Sequence, residues 1–217
     1  MPYRNVQFVR GMYSHIFTRG NDKKKIFIDD YDCEYFLGKL IEYSRECQMS
    51  IICYALMPNH LHFIIRQNAD IVVSTFMHKL SGSYAMYFNK RYVHVGHVFQ
   101  GRFKSKTVKD DDYLLHLSRY IHLNPLDIAG SMNGLERYLW SSYAEYVRSP
   151  RLIQQRIKPI CDKTAILDLM DPLAPDKDYR SFIEDAASKI SSGSGQETYP
   201  QAVRDSLWKS LAKGGVL

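Results

Sequence analysis

The strongest constraint on the fold is residues 51–66, which read IICYALM-PN-HLHFIIR. Two mostly apolar stretches are separated only by Pro58-Asn59, a turn signal that makes the pair a tight hairpin. The two strands are therefore antiparallel neighbours, and the remaining elements must pack on that ribbon. Ahead of it, residues 7–18 mix β-branched and aromatic side chains and run into Arg19-Gly20-Asn21, which predicts a first strand ending in a turn. Over residues 32–47, Tyr35, Phe36, Leu40, Ile41 and Tyr43 recur at helical spacing behind an Asp-rich start. After the hairpin, residues 71–92 gather Val72, Phe76, Leu80, Tyr84, Tyr87 and Phe88 on one side of a helix, and 103–108 reads as another strand. Asp110, Asp111 and Asp112 can cap a helix over 113–123, which Asn124-Pro125 stops.

The resulting order, β-α-β-β-α-β followed by a helix, predicts an α+β protein with a ferredoxin-like antiparallel sheet. Its helices are expected mainly on one face, and the added helix carries Tyr120. The 217 residues suit one main domain over 1–150 with a helical tail over 151–217. In that tail Pro159, Pro172 and Pro175 punctuate short helical stretches, and SSGSG at 191–195 predicts a flexible linker before an amphipathic helix at 203–211. A fold of this kind implies no function by itself.

No stretch approaches the roughly 20 apolar residues of a membrane span, and the N-terminus lacks the apolar core of a secretory signal, so a cytoplasmic protein with no membrane partner is expected. Cys33, Cys47, Cys53 and Cys161 form no CxxC pair, which speaks against a zinc ribbon and suits a reducing compartment. The formal net charge is +6. Its distribution says more: the 39 residues 71–109 hold seven Lys or Arg, three His and no Asp or Glu. Such a window repels itself unless it meets phosphates, although a merely basic surface is the other reading.

Chemistry concentrates at a few positions. His60 and His62 flank Leu61 on a strand, so both imidazoles face one way, with Cα atoms roughly 6.5–7 Å apart, and both can reach one ion. Leu61, Phe63 and Ile65 face the other way, toward a core. HxH is a common string, and spacing alone leaves packing open. Tyr120 and Asn124 lie four residues apart on one helix face, where a phenol beside an amide oxygen could serve as nucleophile beside a third metal ligand; a helix-end Asn before Pro is also an ordinary stop signal. Arg102, Lys104 and Lys106 alternate along the predicted strand as a stripe suited to a phosphate backbone, with Arg19 and Arg119 as further candidate contacts. His122, on another helix face from Tyr120, suits a structural or DNA-contact role.

The strings YSHIFTRGN (13–21), YALMPNHLHFIIR (54–66), NKRYVHVGHVFQGRFKS (89–105), YLLHLSRYIHLNP (113–125) and WSSYAEY (140–146) together resemble the single-tyrosine HUH transposases, in their REP-associated tyrosine transposase branch. The resemblance implies a ferredoxin-like sheet, in agreement with the element order. It implies that His60 and His62 are the metal-binding pair, Tyr120 the nucleophile and Asn124 a further polar ligand. It also implies hairpin-forming repetitive extragenic palindromes as the DNA, and it favours a monomer while leaving a homodimer open.

The expected reaction is metal-dependent cleavage and strand transfer on single-stranded or hairpin DNA. A phenol with a pKa of about 10 is a weak nucleophile at neutral pH. A divalent ion polarising the scissile phosphate would let Tyr120 attack in line, giving a 5′-phosphotyrosine and a free 3′-OH that can later reverse the exchange. Two imidazoles with an oxygen ligand suit Mg²⁺ or Mn²⁺, and zinc also fits the ligand types. No nucleotide cofactor is needed. The alternative is a domesticated protein that binds the hairpins without cutting.

Overall fold

The computed structural model describes residues 8–147 and 159–191. Strands β1 (Tyr13–Arg19), β2 (Met49–Met57), β3 (His60–Gln67) and β4 (Lys104–Thr107) form one antiparallel sheet in the order β2-β3-β1-β4. Helix α1 (Asp30–Glu46) connects β1 to β2, α2 (Val73–Arg91) connects β3 to β4, and α3 (Asp111–Leu123) follows β4. This is the predicted split arrangement. Short helices α4 (Leu126–Ala129), α5 (Met132–Arg137), α6 (Tyr143–Tyr146) and α7 (Thr164–Leu167) precede the longer α8 (Pro175–Ser191). Strand β1 starts later than predicted, because the chain first turns at Gly11, where φ is +84° and the amide donates to Gln67 O. Ser191, the first residue of the linker expected at 191–195, ends α8, and the rest of that linker and the helix expected at 203–211 lie outside the described residues.

The first layer packs α1 and α2 on one sheet face. Ile16, Ile51, Tyr54, Leu56, Leu61, Phe63 and Ile65 meet Phe36, Leu40, Phe76, Leu80 and Tyr84 there. Asp29 caps α1, and the fully buried Asp32 carboxylate accepts from the Ile28 amide (2.7 Å), the Tyr87 and Tyr92 hydroxyls (3.0 and 2.8 Å) and Arg91 (3.0 Å). One carboxylate thus ties the start of α1 to the end of α2, with every acceptor position used.

The opposite face differs from the expected one-sided layout. It is covered by α3 and α5–α8, which bury Ile52, Cys53, Ala55 and Ile64 of the sheet beneath Leu114, Leu117, Ile121, Tyr143, Tyr146, Tyr179 and Ile183. The physical reason lies in β2: IICYALM is apolar on both faces, the pattern of a strand with water on neither side. A bulge at Ile52 between the Ile51–Ile65 and Cys53–Ile64 pairs lets consecutive residues Ile52 and Cys53 both enter this second core. On α8, Tyr179, Ile183, Ala186 and Ala187 recur at helical spacing and form its buried stripe.

His122 is the polar centre of the second layer. Its Nδ1 meets the Tyr179 hydroxyl at 2.7 Å and its Nε2 the Ser142 hydroxyl at 2.8 Å, while Tyr179 also meets Ser118 at 2.9 Å. Hydroxyls can donate or accept, so a neutral imidazole is satisfied at both nitrogens. Burial pushes the His122 pKa from 6.5 down to about 3. The unfolded chain therefore takes up a proton near pH 6.5 that the folded chain refuses until about pH 3. This group leaves stability unchanged above pH 6.5 and lowers it as acid is added below, by up to about 1.4 kcal/mol per pH unit. Urea unfolding followed at several pH values should show this acid slope in the natural chain and a flatter one in His122→Gln.

Candidate active site

Register on the second sheet face builds the site. Residues paired directly across antiparallel strands share a face. Opposite His60, His62 and Ile64 of β3 stand Arg19, Phe17 and His15 of β1, and opposite Phe17 and His15 stand Lys104 and Lys106 of β4. Two histidines, a third histidine, an aromatic ring and three cations therefore line adjoining rows. The turn that presents His60 is latched from outside: Gly20 N donates to Asn59 O (2.8 Å), and Ile26 N and Phe27 N donate to Pro58 O (2.8 and 3.0 Å). Gly20 is required there, since a Cβ would fall 2.0 Å from Lys24 O.

The His60 ring is held in one tautomer by its neighbours. Asn59 Nδ2 donates to Lys23 O, which points Asn59 Oδ1 at His60 Nδ1, 2.7 Å away. His60 Nδ1 must then carry the proton. His60 Nε2 faces Asn124 Oδ1 at 3.2 Å, and the Asn124 amide is oriented by its own Nδ2 donating to Tyr120 O. Burial lowers the His60 pKa, opposed by the Asn124 contact and helped by the nearby Arg19 charge. In the neutral ring, a nitrogen lone pair and a carbonyl oxygen thus point at each other with no proton between them.

His62 is buried and its pKa is held well below the usual value, first by burial and then by the two histidines beside it. Its Nδ1 lies 3.0 Å from His15 Nε2, so one ring donates to the other. His15 is 2% exposed, its pKa is pushed down to about 3 by burial and the Lys106 charge, and its Nδ1 has no hydrogen-bond partner. Helix α3 brings Tyr120 edge-on to His62, with ring centroids 5.4 Å apart, and to His15 at 6.5 Å. Burial raises the Tyr120 pKa, countered by a side-chain hydrogen bond with Asn124.

Two lone pairs about 3 Å apart suit neighbouring ligands of a hard divalent cation with bonds near 2.1 Å. His60, His62 and Asn124 fit such an ion by donor type. Among the described residues no group of three or more His, Cys, Asp or Glu side chains gathers as a metal site; the oxygen beside His60 Nε2 is that of the Asn124 amide.

The other predicted residues divide. Lys104 and Lys106 face the site, and Lys104 Nζ lies 5.9 Å from the Phe17 ring centre. Arg19 lies across from His60 and is held by the Gln100 side chain. Arg102 falls outside β4, in an exposed bend before it, so the predicted three-residue stripe shortens to the two lysines. Arg119 departs furthest from a phosphate contact: it is 6% exposed, with its guanidinium 4.2 Å from the Phe182 ring centre and bonded to His116. His15 and Asn59 join the site through contacts with His62 and His60 that their places in a strand and a turn signal do not state. The alternation of His15, Phe17 and Arg19 was a signal, but its meaning depends on a register the sequence does not state.

A family model described as "Transposase IS200 like" matches residues 8–124, more than half of the chain. Among solved structures, a REP-associated tyrosine transposase bound to a REP hairpin is 16% identical, with a TM-score of 0.56 over 69% of this chain and 87% of the other. A putative transposase from Deinococcus radiodurans R1 is 14% identical, with a TM-score of 0.40 over 55% of this chain and 95% of the other. No curated protein shows a significant match. The first likeness agrees with the sheet and helix order described above.

The orienting contacts give a direct test. Asn59→Ala frees the His60 tautomer, and His15→Phe removes the partner of His62 Nδ1. Each should weaken binding of Mn²⁺ alone by about tenfold or more, measured by calorimetry, while circular dichroism stays that of the natural chain.

Proposed function

The chain belongs to the IS200-like transposase family, and we propose that it cleaves and rejoins single-stranded, hairpin-forming DNA with Tyr120 as the nucleophile. The observation that carries this reading is the convergence of four residues from two elements. Tyr120 and Asn124 come from the end of α3, His60 and His62 from one face of β3, and Asn124 touches His60 while Tyr120 lies against His62. The solved relative of similar fold is bound to a REP hairpin, which favours a hairpin as the DNA here.

His60, His62 and Asn124 would hold a divalent Mg or Mn ion, which when bound polarises the scissile phosphate and offsets its developing charge. The chain's own residues do the rest. Arg19, Lys104 and Lys106 border the same sheet face and draw the phosphate backbone over it. The half-buried Tyr120 phenol, its pKa raised, stays protonated at rest, so its oxygen becomes nucleophilic only as it gives up its proton. In the exchange the tyrosine oxygen bonds to phosphorus, the bond to the 3′ oxygen breaks, and that oxygen gains a proton in place of the one Tyr120 lost. One phosphodiester replaces another, so a later 3′-OH can reverse the step without an energy source.

Incubation with hairpin-bearing single strands and Mn²⁺ or Mg²⁺, followed by denaturing electrophoresis, should give a covalent protein–DNA adduct that Tyr120→Phe cannot form. Binding without an adduct would overturn the nuclease reading and leave a non-cleaving hairpin binder. The two lysines should show a separate signature. Replacing Lys104 and Lys106 together by Ala should lower the slope of log affinity against log salt by about 1.4 on single strands, with the adduct still formed at low salt.

A further inference from the structure

The loop after α2 has an unusual build. Val93 and Val95 are 89% and 94% exposed, and Val93 sits at φ +49°, a left-handed conformation that disfavours β-branched residues. The strain is held in place by Asn89. Its backbone carbonyl accepts from His94 N (3.0 Å), its Oδ1 meets His94 Nδ1 (2.9 Å), and its Nδ2 donates to Gly96 O (3.3 Å). The His94 ring is turned inward against Phe88, with centroids 5.7 Å apart. On the entry side the Tyr92 hydroxyl donates to buried Asp32. On the exit side Asn21 N donates to Val98 O (2.9 Å) and Gln100 N to Arg19 O (2.9 Å). The two valines therefore stand on a braced knuckle rather than a slack loop.

Its setting selects a partner. The knuckle lies within the 71–109 window that contains no acidic residue; Arg91 is paired with Asp29 and Asp32, which leaves Lys90, Arg102, Lys104 and Lys106 as the nearest cations along the chain. Gln100, on the segment that leaves the knuckle, is bonded to Arg19, the residue across β1–β3 from His60. An apolar tip flanked along the chain by these cations, and tied through Gln100 to Arg19, suits a polyanion that also offers a flat apolar face. The end of a base-paired stem is such a face.

We propose that Val93 and Val95 form a wedge that rests on the closing base pair of a hairpin stem, where the duplex gives way to the single strand entering the Tyr120 site. The proposal rests on the DNA-processing reading above and adds to it what distinguishes a hairpin from an unpaired strand. The basic flanks hold the phosphates of either form, whereas the valines gain burial only against a stem end. The strain at Val93 is then the cost of presenting that face before the DNA arrives.

The test uses the full chain with Val93→Asn and Val95→Ser combined. Asn tolerates the left-handed conformation, so the knuckle keeps its shape and loses its apolar tip. Binding is measured by fluorescence anisotropy on a hairpin with a single-stranded extension and on an unpaired strand of equal length, with 2-aminopurine at the closing pair as a second readout. The natural chain should prefer the hairpin and perturb the 2-aminopurine. The double variant should lose roughly tenfold in hairpin affinity, the loss expected from two partly buried valines, and should leave 2-aminopurine unperturbed with affinity for the unpaired strand nearly unchanged. Equal loss on both DNAs, or no loss on either, overturns the wedge while the DNA-processing reading stands. Failure of the natural chain to bind either DNA overturns both. A natural-chain dimer that the variant converts to monomer in light scattering reassigns the valines to self-association and also overturns the wedge.

Discussion

The register of β1 against β3 is the constraint on which the site depends. It puts His15, Phe17 and Arg19 across from Ile64, His62 and His60. A slip of one residue would place Ser14, Ile16 and Thr18 on that face and turn His15, Phe17 and Arg19 toward α1 and α2. Two features hold the register. Ile16 is fully buried in the first core beside Phe63 and Leu61, and its exposure to the other face would forfeit roughly 1.5–3 kcal/mol of burial. At the strand end, Gly20 bonds to Asn59 in a space too tight for a Cβ. Apolar packing on one face thus fixes the position of polar groups on the other.

The second layer does the same for α3. One side of this helix is locked by Leu114, Leu117 and Ile121 in the core and by the His122–Tyr179–Ser118 bonds. The neighbouring side carries Tyr120 and Asn124 toward β3. A helix anchored through its buried polar network has little freedom to rotate, so the tyrosine is presented by α8 and α6 as much as by its own helix. The described part of the tail therefore contributes to the site without touching it.

Much of this was legible in the chain. Period-two and period-3.6 patterns give the order of elements, and the two-residue period of HLH gives the shared face of His60 and His62. The four-residue spacing gives the shared face of Tyr120 and Asn124. What the sequence withheld depends on tertiary register. IICYALM announces burial on both faces only when its continuous apolarity is weighed above the antiparallel topology, which usually leaves one face wet. Arg119 shows the complementary failure: next to Tyr120 in sequence, it points a helical step away and its cation is spent on Phe182. His15 depends on pairing between strands 47 residues apart, and no local pattern encodes that.

The placement of charge on the sheet separates two explanations for the lysines of β4. An edge strand gains from lysine because charge discourages pairing with another edge. That requirement is met by lysine on either face. Here Lys104 and Lys106 both face the histidine side, and Ser105 and Thr107 the other, so edge protection leaves their common direction unexplained. Their direction has a cost, since the Lys106 charge helps to keep His15 neutral, and Arg19 acts in the same sense on His60. The cost has a purpose under the proposed reading. Positive potential comes from permanent cations at the rim, while the imidazoles inside remain uncharged and keep the lone pairs that a metal ligand needs. If the histidines supplied the charge themselves, protonation would attract phosphate and abolish ligation together; dividing the two tasks between rim and centre lets one sheet face do both.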